Sequence, residues 1–241
     1  PREIGMFASL IAALVFLAVY ACGNSQVYYV APILPLLFAA GAVAAERLAI
    51  ATGARWIRAA LLAPVTLSAV VLAPLSMPLL PVEQFIEYSG RIGLIENVTM
   101  YATQRLPVYF ASRFGWPELI ATLERVWRTL PAQDRERCIV LGNDYAKASA
   151  INLLGRDAGL PTAYSGHNSC WYWGPPGDRG EVAISIGYRG EFLQSIYQSV
   201  ELVAVVQHPY ANPWQTDQPV FVCRGLRAPL VDLWPRFRHF G

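Results

Sequence analysis

Lysine is nearly missing from this chain: among 241 residues only Lys147 has an ammonium side chain, and arginine supplies the rest of the 19 basic residues. Charge of either sign is scarce, at 15% of residues against about 25% in an ordinary soluble domain, while 54% are hydrophobic. So apolar a composition excludes intrinsic disorder. Between Ile4 and Ala45 charge is absent altogether. Residues 1–82 hold six charged side chains (Arg2, Glu3, Glu46, Arg47, Arg55, Arg58), leaving 30 for residues 83–241. Acid and base balance in that second part, so the net charge of +2 belongs to the apolar part. No basic patch is left to neutralise phosphates along a polymer, which excludes nucleic acid as a partner.

Motifs are missing too. The four cysteines (Cys22, Cys138, Cys170, Cys223) show neither CxxC nor Cys/His ligand spacing, so a zinc site has no support. Cys138 and Cys223 read as buried strand thiols, with a disulfide between two of Cys138, Cys170 and Cys223 as the alternative in an oxidising compartment. Without a Gly-x-Gly-x-x-Gly or Gly-x-x-x-x-Gly-Lys loop, nucleotide binding in the usual α/β manner is unsupported. Ser165, His167 and Asp144 offer the groups of a hydrolase, but no Gly-x-Ser-x-Gly elbow presents the serine. There is no internal repeat and no low-complexity tract.

What is present begins with three apolar runs. Gly5–Cys22, a second run from about Tyr28 to Ala45, and Ala59–Leu80 approach the roughly 20 residues a helix needs to cross hydrocarbon. Three successive runs are not a signal peptide, which has one short apolar core. Residues 1–82 are therefore expected to be a transmembrane region, 83–114 a connector carrying short helices, and 115–241 an extracytoplasmic α/β domain. Loop 46–58 carries three arginines and one glutamate whereas Gly23–Tyr29 carries no charge, so loop 46–58 is expected on the cytoplasmic side. Prolines within the spans call for a larger bundle around them, and the start at Pro1 suggests the C-terminal part of a longer polytopic protein.

In the outer domain, Leu119, Ile120, Leu123, Val126, Trp127 and Leu130 predict an amphipathic helix over Pro117–Leu130. Cys138–Leu141, then Gly142-Asn143-Asp144, then Tyr145–Ala158 read as strand, turn and helix. Pro161–Tyr164, Val182–Gly187, Val200–Gln207 and Val220–Cys223 read as strands, with a short helix over Glu191–Tyr197. This alternation predicts a small, Rossmann-like α/β fold with a largely parallel sheet.

Three polar clusters fall where strands end: residues 142–145, 165–169 and 208–213. Ligands of open α/β sheets bind at the carboxyl ends of strands. Asn143, Asp144, His167 and Asn168 are the candidate ligand-binding residues, in a groove expected to face the membrane and to hold a sugar or phosphate head group. The alternative makes them turn and capping residues. Trp171-Tyr172-Trp173 are read as buried beneath a proline-rich loop, the alternative being stacking on sugar faces or seating at a membrane interface. Asn97-Val98-Thr99 matches a glycosylation acceptor.

Two stretches carry a resemblance. One is Val27–Ala42, which opens Val27-Tyr28-Tyr29-Val30-Ala31-Pro32-Ile33-Leu34-Pro35; the other is Tyr164-Ser165-Gly166-His167-Asn168-Ser169-Cys170-Trp171-Tyr172-Trp173-Gly174-Pro175-Pro176. Both resemble bacterial glycosyltransferase family 39, the relatives of protein O-mannosyltransferases and of the lipid A aminoarabinose transferase. The resemblance implies a multi-span enzyme of the bacterial inner membrane that takes a sugar from a polyprenyl-phosphate carrier on the outer face. It implies that Tyr28 and Tyr29, with Pro32 and Pro35, lie beside the lipid-phosphate cavity, among upstream helices of the same protein. The family's catalytic Asp lies upstream of anything in this chain, so no catalytic residue is expected here. Relatives have Tyr-Gly-Glu-Ala-Gly-Ala-Ile where Tyr145-Ala146-Lys147-Ala148-Ser149-Ala150-Ile151 stands, so Lys147 replaces a carboxylate and that acid's ligand role does not carry over. No cofactor other than the lipid-linked donor is identified, and a need for divalent metal is open. The rival expectation is a non-catalytic, membrane-anchored domain that binds a glycan or a protein.

Overall fold

A computed structural model describes residues 14–15, 18, 31–54, 56–93, 106–175, 177 and 179–240. The chain divides into two units, Pro1–Phe85 and Ile86–Gly241.

In the first unit a single 3-10 turn over residues 31–33 leads into α1 (Leu34–Thr52), and α2 (Trp56–Ser76) follows. Ala31–Thr52 and Trp56–Ser76, of 22 and 21 residues, are long and apolar enough to cross a membrane. Large apolar side chains stand exposed along both, among them Phe38, Ile50, Leu62, Leu67 and Val70. A helix that is apolar all round suits a hydrocarbon surrounding rather than a water-facing surface. The charged residues extend α1 instead of ending it: Glu46 and Arg47 lie within the helix, which stops at Gly53, where φ is +67° and the amide donates to the Ile50 carbonyl at 3.4 Å. The 13-residue loop read from the sequence thus shortens to the few residues after Thr52. Arg58 Nε donates to Glu46 Oε2 at 2.8 Å and its NH2 group meets Oε1 at 2.5 Å, tying the two helices at that end. Of the expected span Gly5–Cys22 only Leu14, Val15 and Ala18 are described, each helical, and the Gly23–Tyr29 loop lies outside the described residues.

Next comes α3 (Val82–Ile92), with Glu83 in its first turn and Arg91 in its last, the charge order that complements the helix dipole. Asn97-Val98-Thr99 falls outside the described residues.

The second unit holds α4 (Val108–Ala111), α5 (Trp116–Thr129), α6 (Ala132–Arg137), β1 (Cys138–Gly142), α7 (Tyr145–Leu154) and β2 (Ala163–Tyr164). A 3-10 turn over Asn168–Trp173 precedes β3 (Val182–Ile186), α8 (Gly190–Gln194), β4 (Tyr197–Val206), β5 (Gln218–Leu226) and α9 (Leu230–Leu233), and a second 3-10 turn, Trp234–Phe237, follows. The five strands of the described residues form one sheet in the order β2-β1-β3-β5-β4.

That sheet is mixed, where a largely parallel one was expected. β1 pairs parallel with β2 and with β3, but β5 pairs antiparallel with both β3 and β4. The reason lies in the connections: β1, β2 and β3 are separated by helices or long turns, whereas β4 passes into β5 without a helix, and a direct return makes an antiparallel pair.

β1 and β3 are buried along their whole length, so alternate side chains feed two cores. Val140, Ile184, Val220 and Val222 meet Leu119, Leu123 and Val126 of α5 and Ala148 and Ile151 of α7 on one face. Ile139, Leu141, Ala183 and Cys223 meet Leu193 of α8, Leu230 and Leu233 of α9, and Trp234 and Phe237 on the other. Helices thus cover both sides of the sheet, and the carboxyl ends of β1 and β3 open onto the polar loops.

Cys138, Cys170 and Cys223 are free thiols, not a disulfide. Burial pushes the Cys138 and Cys223 thiols up to about 12, which makes them inert strand residues.

Candidate functional site

The loop after β1 is fixed first. Asn143 donates its amide to the Ile186 carbonyl at the end of β3, 3.0 Å away, so the carboxyl ends of the two central parallel strands are stitched together. Asp144 is the N-cap of α7: its Oδ1 accepts from the Lys147 amide at 2.8 Å, while Oδ2 pairs with the Lys147 ammonium. The same ammonium donates to the Trp214 carbonyl at 2.8 Å, pulling the β4–β5 loop over the start of α7. Lys147 is 2% exposed. The chain's one lysine is therefore a structural cation, and both Asp144 oxygens are engaged.

The loop after β2 is fixed by the chain's end. Gly166 accepts from the His239 amide at 3.2 Å, and Asn168 donates its amide to the His239 carbonyl at 3.0 Å, a short parallel bridge at His167 and His239. Only glycine serves at position 166, because a Cβ there would collide with the Phe237 backbone. This bridge lays the His239 ring on the His167 ring, centroids 4.6 Å apart and 8° from parallel, with Tyr145 on the same imidazole at 5.0 Å. His239 Nδ1 lies 2.8 Å from the Phe237 carbonyl; a carbonyl only accepts, so that nitrogen carries the proton and Nε2 is the free one in the neutral ring. Both ring nitrogens of His167 are buried without a hydrogen-bond partner. Burial holds the His167 imidazole below its ordinary range, and His239 and Lys147 act the same way against the opposing pull of Asp144.

These loops enclose a cleft of about 340 Å³ lined by Trp116, Asn143, Asp144, Tyr145, Ala146, His167, Trp214, Gln215 and His239. Of the residues expected to bind ligand, the structure brings Asn143, Asp144 and His167 together. Asn168 sits beside them in the left-handed region at φ +52° and lines no cleft described here. Tyr28 and Tyr29 lie outside the described residues. Ser165, Asp144 and His167 are not a hydrolase relay: Ser165 Oγ accepts from the His167 backbone amide at 3.2 Å, and Asp144 is spent on Lys147.

His208, from the third polar cluster, stacks on Phe114 at 5.1 Å and supports its own loop by accepting from the Tyr210 amide at Nδ1. The aromatic run divides. Trp171 and Trp234 exchange hydrogen bonds, each indole N–H donating to the other's carbonyl at 3.2 and 2.9 Å. Tyr172 and Trp173, expected beneath a loop, are instead 66% and 79% exposed. Three residues per turn in a 3-10 helix point successive rings in different directions, so one ring packs and its neighbours face out.

The sequence reading missed Trp116, Trp214, Gln215 and His239. The last had a signal, because Arg236-Phe237-Arg238-His239-Phe240 interleaves basic and aromatic residues. No metal-binding group of three or more His, Cys, Asp or Glu occurs among the described residues. In comparisons with known proteins, no family model matches the sequence, and no curated protein and no solved structure is significantly similar to it.

Proposed function

We propose that this chain is the C-terminal part of an integral-membrane glycosyltransferase, with its α/β unit on the outer membrane face binding a saccharide in the cleft at the carboxyl ends of β1 and β3. One observation carries the reading: Trp116, Tyr145 and Trp214 give that cleft aromatic walls, and the Asn143 and Gln215 amides line it beside the His167 and His239 imidazoles. Sugars are bound by this combination, apolar ring faces stacking on aromatics while hydroxyls pair with amides and imidazoles. The Rossmann-like description and the membrane siting belong to the same proposal, supported by helices on both sheet faces and by two helices of spanning length.

In the transfer itself, a carboxylate of the preceding part of the enzyme deprotonates the acceptor hydroxyl, which attacks the anomeric carbon as the polyprenyl phosphate leaves. The present chain supplies binding, since the one carboxylate lining the cleft, Asp144, has both oxygens committed. That commitment equally favours the second reading, a membrane-anchored glycan-binding domain with no catalytic role. The test is sugar transfer from a polyprenyl-phosphate donor by the complete protein. Activity that falls at least tenfold in His167→Ala supports the transferase reading. Saccharide binding without transfer supports the second, and transfer indifferent to His167 and Asn143 removes the cleft from the reaction.

A further inference from the structure

A second compartment of about 280 Å³ adjoins the aromatic cleft and shares Asn143 and His239 with it. Its other lining includes Arg189 from the loop after β3, and Arg236 and Arg238 from the C-terminal tail, and it contains no carboxylate. Arg236 and Arg238 are held by neutral partners. Arg236 donates to the Ser195 carbonyl at 3.1 Å and to the Ser195 hydroxyl at 2.8 Å. Arg238 lies over the Trp171 ring at 4.6 Å and the Phe240 ring at 5.1 Å. Among the described residues none of the three forms an ion pair. The lining thus brings three guanidinium groups, each on an exposed residue, to one compartment without a carboxylate. Phe192 and Phe237 add apolar surface to the same lining.

We infer that this compartment binds the anionic substituent of an acidic saccharide, a phosphate or a carboxylate, whose sugar ring occupies the adjoining aromatic cleft. The inference rests on the saccharide reading of that cleft and adds the charge of the ligand. The fork of the guanidinium group matches two oxygens of either anion, so the chemistry shared by a phosphorylated sugar and a uronic acid is what is recognised. Asn143 and His239 stand on the border of both compartments, so a single ligand touches them at the junction between ring and anion.

The experiment uses the full chain in detergent micelles or nanodiscs and measures, by saturation-transfer nuclear magnetic resonance with competition, binding of glucose, glucose 1-phosphate, glucuronic acid and inorganic phosphate. The expected result is that the two acidic sugars bind about tenfold or more tightly than glucose, and that Arg189→Gln and Arg236→Gln each erase most of that advantage without changing glucose binding. The Arg189 side chain makes no hydrogen bond or ion pair among the described residues, and the bond its carbonyl accepts from the Leu193 amide survives substitution, so its variant removes charge without loosening the fold. Comparing the two acidic sugars separates a phosphate preference from a carboxylate preference. Equal binding of acidic and neutral sugars overturns the inference and leaves the saccharide reading standing. Phosphate binding as tightly as glucose 1-phosphate, with glucose not bound, overturns both, as does the absence of binding by all four.

Discussion

Lys147 and His167 define the chemistry of the site at the scale of single residues, one by its bonds and the other by their absence. Lys147 is buried with its ammonium shared between Asp144 and the Trp214 carbonyl, and Asp144 stays 20% exposed. Replacing Lys147 by Met removes the cation and leaves a capped but uncompensated carboxylate. Fully buried pairs broken from one side lose about 3–5 kcal/mol, and with Asp144 partly solvated the expected loss is about 2 kcal/mol. Chemical denaturation followed by tryptophan fluorescence measures it, and the double variant Lys147→Met, Asp144→Asn recovers most of it if the pair acts as described. His167 gives a pH signature. Its imidazole is held below the ordinary value of 6.5, mainly by burial. The unfolded chain therefore takes up a proton first as pH falls. The neutral folded imidazole contributes its full stability above about pH 6.5 and loses it as pH drops from there through the lower folded value. Melting temperatures between pH 8 and 5 are expected to decline less steeply in His167→Gln than in the native protein; identical slopes would refute the burial of this ring.

Elements repeat the lesson with more of the sequence behind them. The helix at 116–129 was legible because Leu119, Leu123 and Val126 recur at helical spacing on the face that meets the sheet, and β1 was legible because a short apolar run ends at Gly142. The antiparallel entry of β5 was not, since strand direction depends on what the connection does in space and a stretch such as residues 207–217 carries no periodicity to announce it. Asn143, Asp144 and His167 were legible as strand-end polar residues, but Asp144's commitment to Lys147 was not, because an i,i+3 pair reads equally as a solvated surface pair. The tail was the largest omission: its bridge to residues 166–168 is built from backbone, and backbone contacts at long sequence separation leave no side-chain pattern. Its dependence on Gly166 is testable. In Gly166→Ala the new methyl group meets the Phe237 carbonyl carbon and Cβ, so the bridge must open at a cost of about 1–3 kcal/mol. Hydrogen exchange at the His239 and Asn168 amides is expected to accelerate by tenfold or more while the amides of β1 and β3 keep their protection. Unchanged exchange at both tail amides would show that the tail is held by something other than this bridge.

For the molecule as a whole the decisive matter is which solvent each unit meets. A helix of 21 residues spans about 32 Å at 1.5 Å per residue, close to the hydrocarbon thickness of a bilayer. Exposed Leu, Val, Phe and Ile side chains along α1 and α2 would form an apolar patch far beyond what a soluble monomer carries, whereas in lipid they are simply solvated. Charged residues stand where α1 gives way to α2, with Glu46 and Arg58 paired and Arg47 next in sequence to Glu46. Arginine concentrated at one end of two adjacent spans is retained on the cytoplasmic side, which under the proposed topology puts the α/β unit on the opposite face after a single further crossing. Expressed in cells, the chain is expected to stay with the membrane through an alkaline carbonate wash. Protease added to intact spheroplasts is then expected to remove an epitope placed after Gly241 while sparing one inserted at Gly53. Release by carbonate would count against the spans, and protection of the Gly241 epitope with cleavage at Gly53 would invert the orientation, putting the cleft proposed to bind saccharide out of reach of any acceptor outside the cell.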